Sequence, residues 1–204
     1  MMNYIMFYIF TRFDRMNLCI DGFKMNAEQQ KSRVLVIIGS ASKNSSNSKL
    51  MEAFRELAAS EHEVTILDNL ETLPHFDPAG TDDPPPVVKD IRTDIASASG
   101  VIFCSPEYIF SIPARLKNLL EWCVSTTIFL EKPVGIITAS ADGHYGHEEL
   151  KLIARTLGAQ LHPDAELLLK GIKEKLDNNG LIKDTATVKA LQDFSIGFRK
   201  LIDQ

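Results

Sequence analysis

The stretch "RVLVIIGSASKNSSNSKLMEAFRELAAS", Arg33 to Ser60, decides the fold. Its first part is an unbroken aliphatic and β-branched run with no polar alternation, the pattern of a strand buried on both faces of a parallel sheet. Gly39 and Ser40 end the run, and a polar loop follows. Leu50, Met51, Phe54, Leu57 and Ala58 then recur at helical spacing, with Asn47 or Ser48 as the N-cap. Strand, loop and helix in this order form one crossover unit, whose strand is expected at the centre of the sheet.

The same unit repeats outward along the chain. "EVTILDN" (63–69) predicts a second strand, and a proline-rich surface stretch (73–86) leads into a helix over 87–98, with Pro86 suited to its first turn. "GVIFCS" (100–105) and "KPVGIITAS" (132–140) predict two more strands, each opening through a loop onto a helix, over 112–125 and 147–158. A last short strand is expected near residues 159–163 and a C-terminal helix over 185–203, with 171–184 as an exposed connection. Strands alternating with helices require right-handed crossovers, so the fold class is α/β: a doubly wound five-stranded parallel sheet with helices on both faces.

Composition narrows the function. The chain has 204 residues, 45% of them hydrophobic and 24% charged, which fits one domain of ordinary core size. A net charge of -5 with scattered lysines gives no means of neutralising a nucleic-acid backbone. Three cysteines without CxxC spacing suggest neither a disulfide framework nor a zinc site, and a cytoplasmic protein is expected. The apolar "YIMFYIF" near the start is cut short by Thr11, Arg12, Asp14 and Arg15, well below the roughly 20 residues of a membrane span, and it lacks signal-peptide flanks. Residues 1–24 are therefore read as an N-terminal appendage, with an over-extended start favoured, to a single domain over 25–204.

Ligands of open parallel sheets bind beyond the carboxyl ends of the strands, where the strand order reverses. Three loops at that edge stand out. "SASKNSSN" (40–47) is a run of hydroxyls and amides closing on a helix N-terminus, which suits an anion such as phosphate, although plain helix capping would explain it too. It matches neither GxxxxGK[ST] nor GxGxxG. In "SPEYIFS" (105–111), Pro106 and Tyr108 offer a stiff, flat wall for a planar heterocycle, while Ile109 and Phe110 would equally serve a subunit contact. In the third loop, Gly143 and Gly146 bracket His144 and Tyr145 and permit close backbone approach to a ligand edge. Cys104 is read as a buried structural thiol, Trp122 and Leu119 as core or interface, and His144 and His147 as lacking the further ligands of a metal site.

These residues carry a resemblance. "GSxxxxSxNxxL" (Gly39 to Leu50), "PEYxxSIPxxLKNxxEW" (Pro106 to Trp122) and the late "ITAS…G" loop resemble the NADPH-dependent FMN reductases of the flavodoxin-like superfamily, over roughly residues 33–203. The resemblance implies the strand order 2-1-3-4-5 and an FMN cofactor. It implies that Ser40, Ser45 and Asn47, within the hydroxyl run that includes Ser46, hold the FMN phosphate. Pro106, Glu107 and Tyr108 would line the isoalloxazine and ribityl region, and Ser140 to Gly143, with Asp142, would close over the ring edge. Two positions depart from the family pattern. Ser42 stands where the family usually has arginine, leaving Lys43 as the nearby cation, and Ile109 stands where it usually has asparagine; weaker FMN retention is expected.

The implied activity is hydride transfer from NADPH or NADH to bound FMN and onward to a small acceptor, such as free flavin, a quinone, an azo compound or a metal oxyanion. No residue is assigned as a general acid and no metal is expected. The family implies a homodimer or homotetramer, with Glu107 a candidate charge partner across the interface, and neither nucleic acid nor membrane as partner. An FMN-binding electron carrier reduced by a protein partner is the rival, and an FMN-free domain a third possibility.

Overall fold

The Arg33–Ser60 stretch folds as strand, loop and helix in the computed structural model, which describes residues 31–177 and 179–204. The proposed appendage over 1–24 lies outside the described residues. Strand β1 (Ser32–Ile38) is flanked on both sides by parallel partners: Val36 sits opposite Ile66 of β2 (His62–Leu67) and opposite Ile102 of β3 (Gly100–Ser105). Beyond β3 come β4 (Val134–Ser140) and β5 (Glu166–Lys170), also parallel, which gives the order β2-β1-β3-β4-β5. The order reverses between β1 and β3, so a crevice opens beyond their carboxyl ends.

Alternation along each strand sends side chains to two separate cores. On one face, Leu35, Ile37, Val101, Phe103 and Ile136 pack against α2 (Pro86–Ser97), α3 (Ala114–Trp122) and α4 (His144–Thr156). On the other, Val34, Val36, Ile38, Ile102 and Ile137 pack against α1 (Ser46–Leu57) and α6 (Thr185–Ile202). Trp122 and Leu119 are buried core residues. Each fully buried aliphatic or aromatic side chain contributes about 1.5–3 kcal/mol, so these two layers carry most of the fold. Gly135 makes one of them possible, since a Cβ there would stand 2.7 Å from the Phe194 ring.

Three sequence expectations need correction. The N-cap of α1 is Ser45, whose hydroxyl accepts from the Ser48 amide, so the helix starts ahead of Asn47 and Ser48. Helix α4 begins at His144, which shortens the third loop. The last strand is Glu166–Lys170; within 159–163 only Gln160 pairs, in an isolated bridge to Pro133, and Pro163 then opens a 3-10 turn. Because that strand was placed too early, the residues after it were misread as an exposed connection. They begin with α5 (Ile172–Lys175), and Ile172 and Leu176 are buried in the second core.

Two buried histidines set a pH dependence. His62, at the start of β2, is 2% exposed; its Nε2 lies 3.4 Å from the Ser195 carbonyl, and its Nδ1 has no partner among the described residues. Burial lowers its pKa from the ordinary 6.5, with the Ser195 carbonyl partly opposing and Arg199 adding to the depression. His147 is lowered chiefly by burial and then by Lys151. Both rings bind a proton less readily folded than unfolded, so the stability they confer is complete above pH 6.5 and is lost as the pH falls below it. Asp184, held at about 2 mainly by the Thr187 hydroxyl, titrates well below that window. Thermal denaturation should therefore show a midpoint that falls as pH drops from about 7.5 to about 5, with a shallower fall in His62→Gln. A flat midpoint across that interval would contradict neutral burial of the two rings.

Candidate functional site

A cavity of about 570 Å³ opens at the carboxyl ends of β1, β3 and β4, within the size range of cofactor sites. Its walls are Ser40 and residues 42–47 after β1, residues 106–108 after β3, residues 139–141 at the end of β4, and residues 171–174 after β5. Of the residues singled out from the sequence, Ser40, Lys43, Ser45, Ser46, Asn47, Pro106, Glu107, Tyr108 and Ser140 border it. Ile109, Asp142 and Gly143 do not.

The first wall is the polar loop on the N-terminus of the twelve-residue α1. Gly39 is required where the loop leaves β1, because a Cβ there would meet Ser105 Oγ at 2.7 Å and Leu116 Cδ2 at 2.8 Å. Ser40 Oγ accepts from the Ser42 amide at 3.3 Å and lies 3.4 Å from the Tyr108 hydroxyl, joining the first two walls. Asn47 is only 3% exposed, and its amide is turned inward: Nδ2 donates to the Ala139 carbonyl at 3.1 Å, and Oδ1 accepts from the Cys104 thiol at 3.3 Å. Asn47 therefore ties the loop to β3 and β4, while Ser45 Oγ caps α1 and lies 2.9 Å from the Ser48 hydroxyl. Lys43 is exposed at this wall.

The second wall is pinned to α4 by two carboxylates. Glu107 accepts the Gly146 amide at 2.8 Å, filling the helix N-terminus that Gly143 cannot cap with a side chain. Glu149 reciprocates from α4, accepting the Ile112 amide at 2.9 Å. The Glu107 carboxylate is thus engaged within its own chain through Oε2, and its backbone amide donates to Ser140 Oγ at 3.2 Å.

Between these clamps Tyr108 and Ser111 exchange backbone hydrogen bonds of 2.9 and 3.1 Å around a two-residue turn. Its central residues have positive φ, 52° at Ile109 and 58° at Phe110. Ile109 is 95% exposed and Phe110 72% exposed, with the Phe110 ring 5.3 Å from Tyr145 in an edge-on contact.

The third wall is shorter than expected. Asp142 pairs with Lys170, whose hydrogen bond is the main cause of its lowered pKa, and Gly143, at φ 86°, is the N-cap of α4. Burial pushes the Cys104 thiol far up and the Cys123 thiol up to about 12, which disfavours the reactive thiolate at both. His147 Nδ1 lies 2.8 Å from Thr138 Oγ1, and among the described residues no group of His, Cys, Asp or Glu is arranged to hold a metal. The fourth wall, residues 171–174, escaped sequence reasoning. Its signal was "LLLKG", an apolar run ending in glycine like "VIIGS".

A β-branched or aromatic residue with positive φ costs about 1–2 kcal/mol, and asparagine tolerates that conformation far better. Ile109→Asn loses no buried surface and should raise the unfolding free energy by about 1 kcal/mol in chemical denaturation. A lowered stability would show that the Ile109 side chain contributes contacts that outweigh its strain.

Comparison with known proteins places this geometry. Residues 32–174 match the family described as NADPH-dependent FMN reductase. The chain is 30% identical over 173 residues to a 2-hydroxy-1,4-benzoquinone reductase of a Burkholderia species, covering 79% of this chain and 91% of that protein. It is 27% identical over 183 residues to a quinone reductase of Escherichia coli, covering 86% and 97%. A solved flavoenzyme NAD(P)H:(acceptor) oxidoreductase from Paracoccus denitrificans superimposes with a TM-score of 0.76 at 27% identity, covering 84% of this chain and 97% of that one. The chain belongs to the NADPH-dependent FMN reductase family and is a flavodoxin-like oxidoreductase using FMN and a reduced nicotinamide nucleotide.

Proposed function

We propose that the chain reduces a small organic acceptor, a quinone in the first instance, with FMN seated in the cavity at the ends of β1, β3 and β4. The observation that carries this is the pairing, in one cavity, of a hydroxyl-rich loop on a helix N-terminus with a stiff Pro106–Tyr108 wall. The first suits a phosphate and the second a planar ring. The residues fit the cofactor: Ser40, Ser46 and the backbone of 43–47 would border the phosphate, with the Ser45 hydroxyl occupied in capping α1, while Pro106, Glu107 and Tyr108 would line the ring and ribityl region.

FMN, when bound, supplies hydride acceptance and onward electron delivery. The protein's part is to bind, orient and shield. Ser140 Oγ and the Glu107 carboxylate are committed to holding the wall in shape, so neither is assigned as a proton donor. The exposed rim of Tyr108, Phe110 and Tyr145 is apolar and aromatic, which favours aryl acceptors and gives a second copy of the chain a surface to cover. A homodimer or homotetramer follows as part of the proposal. So does a cytoplasmic location, supported by two free, buried cysteines at Cys104 and Cys123.

Anaerobic absorbance spectroscopy tests this. FMN-loaded protein should bleach on addition of NADPH or NADH and regain its colour when a quinone is added. Flavin that stays oxidised with both nucleotides would point to a carrier reduced by a protein partner. Because Ser42 replaces a bidentate cation, Ser42→Arg should tighten FMN about ten-fold, read by fluorescence quenching. Unchanged affinity would mean that the phosphate does not lie at this loop.

A further inference from the structure

The fourth wall carries a cation that the sequence pattern did not indicate. Three lysines, Lys170, Lys173 and Lys175, lie on or just after β5. Lys170 is paired with Asp142, and Lys175 with Asp184 at 3.1 Å. Lys173 borders the cavity and has no carboxylate within 4.0 Å among the described residues; the same holds for Lys43 on the first wall. The cavity is thus lined by two uncompensated lysines from separate segments.

The backbone beneath Lys173 is firmly placed. Gly171 adopts a φ of 64°, its amide donates to the Ala141 carbonyl at 3.1 Å, and Ile172 is 4% exposed in the second core. Glu174 also borders the cavity, but its carboxylate folds back over its own turn, with Oε2 2.9 Å from where a Gly171 Cβ would stand. Lys173 is the cation that this wall brings to the cavity.

We propose that Lys173 is a phosphate-binding residue for FMN, acting with Lys43 in place of the guanidinium absent at Ser42. This rests on the placement of FMN in the cavity proposed above. A flexible ammonium on an exposed stem gives a modest, salt-sensitive attraction that depends on the ligand's charge and not on its ring. The site should discriminate FMN from riboflavin, which shares the ring and ribityl chain but lacks the phosphate.

Flavin fluorescence quenching on the full chain tests this with FMN and riboflavin titrated in parallel. Lys173→Ala should weaken FMN about five-fold while leaving riboflavin unchanged, Lys173→Arg should bind FMN within about two-fold of the parent, and the FMN loss should shrink as salt is raised. Circular dichroism of each variant verifies the fold, which an exposed lysine should not disturb. If Lys173→Ala leaves FMN binding intact, or weakens both flavins alike, the inference is overturned while the cofactor site stands. If the parent protein binds neither flavin, both are overturned.

Discussion

The side-chain amide of Asn47 is the interaction on which the site depends. It sits in the first turn of α1, donates to the last part of β4 through the Ala139 carbonyl, and accepts the Cys104 thiol from the end of β3. Three segments that are distant in sequence are thereby held where the strand order reverses. In dry surroundings a polar group left unpaired costs about 1–3 kcal/mol, so both bonds stay made. The thiol has to keep its hydrogen to serve, and burial pushes its pKa upward, in the direction that keeps it protonated. The cysteine beside the cavity is a structural donor for that reason.

From this point the walls follow in order. Ser40 and Tyr108 join the first loop to the second, Glu107 joins the second to the N-terminus of α4, and Glu149 returns from α4 to the same flap. Doubly tied, the flap tolerates Ile109 and Phe110 in a left-handed turn that suits neither residue. Strain at the cavity mouth is maintained by rigidity on both sides of it, and it leaves two large apolar side chains facing outward beside Tyr145.

Much of this was legible in the residues. Buried parallel strands announce themselves as unbroken aliphatic runs, and "VLVIIGS", "GVIFCS" and "VGIITAS" led directly to β1, β3 and β4, while the order of the sheet came from the family resemblance. The fifth strand was placed a few residues early because "ELLLK" is short and follows a turn opened by Pro163, and with that shift the wall bearing Lys173 was lost. Residue type alone leaves open which of two destinations a polar side chain takes. An asparagine at a helix start and a glutamate in a ligand loop read as ligand contacts; Asn47 and Glu107 both border the cavity, and their side chains also bond backbone groups of β4 and α4. Only the fold decides which unsatisfied backbone group lies closer than the ligand.

The central claim is that FMN lies across the ends of β1, β3 and β4 with its phosphate against residues 40–47. Backbone amide NMR of the full chain during an FMN titration tests it most directly. The largest shifts should fall on residues 40–47, 106–108, 139–141 and 171–174, and titration with inorganic phosphate should reproduce those of the first segment. Shifts confined to another face, or none at saturating FMN, would contradict it.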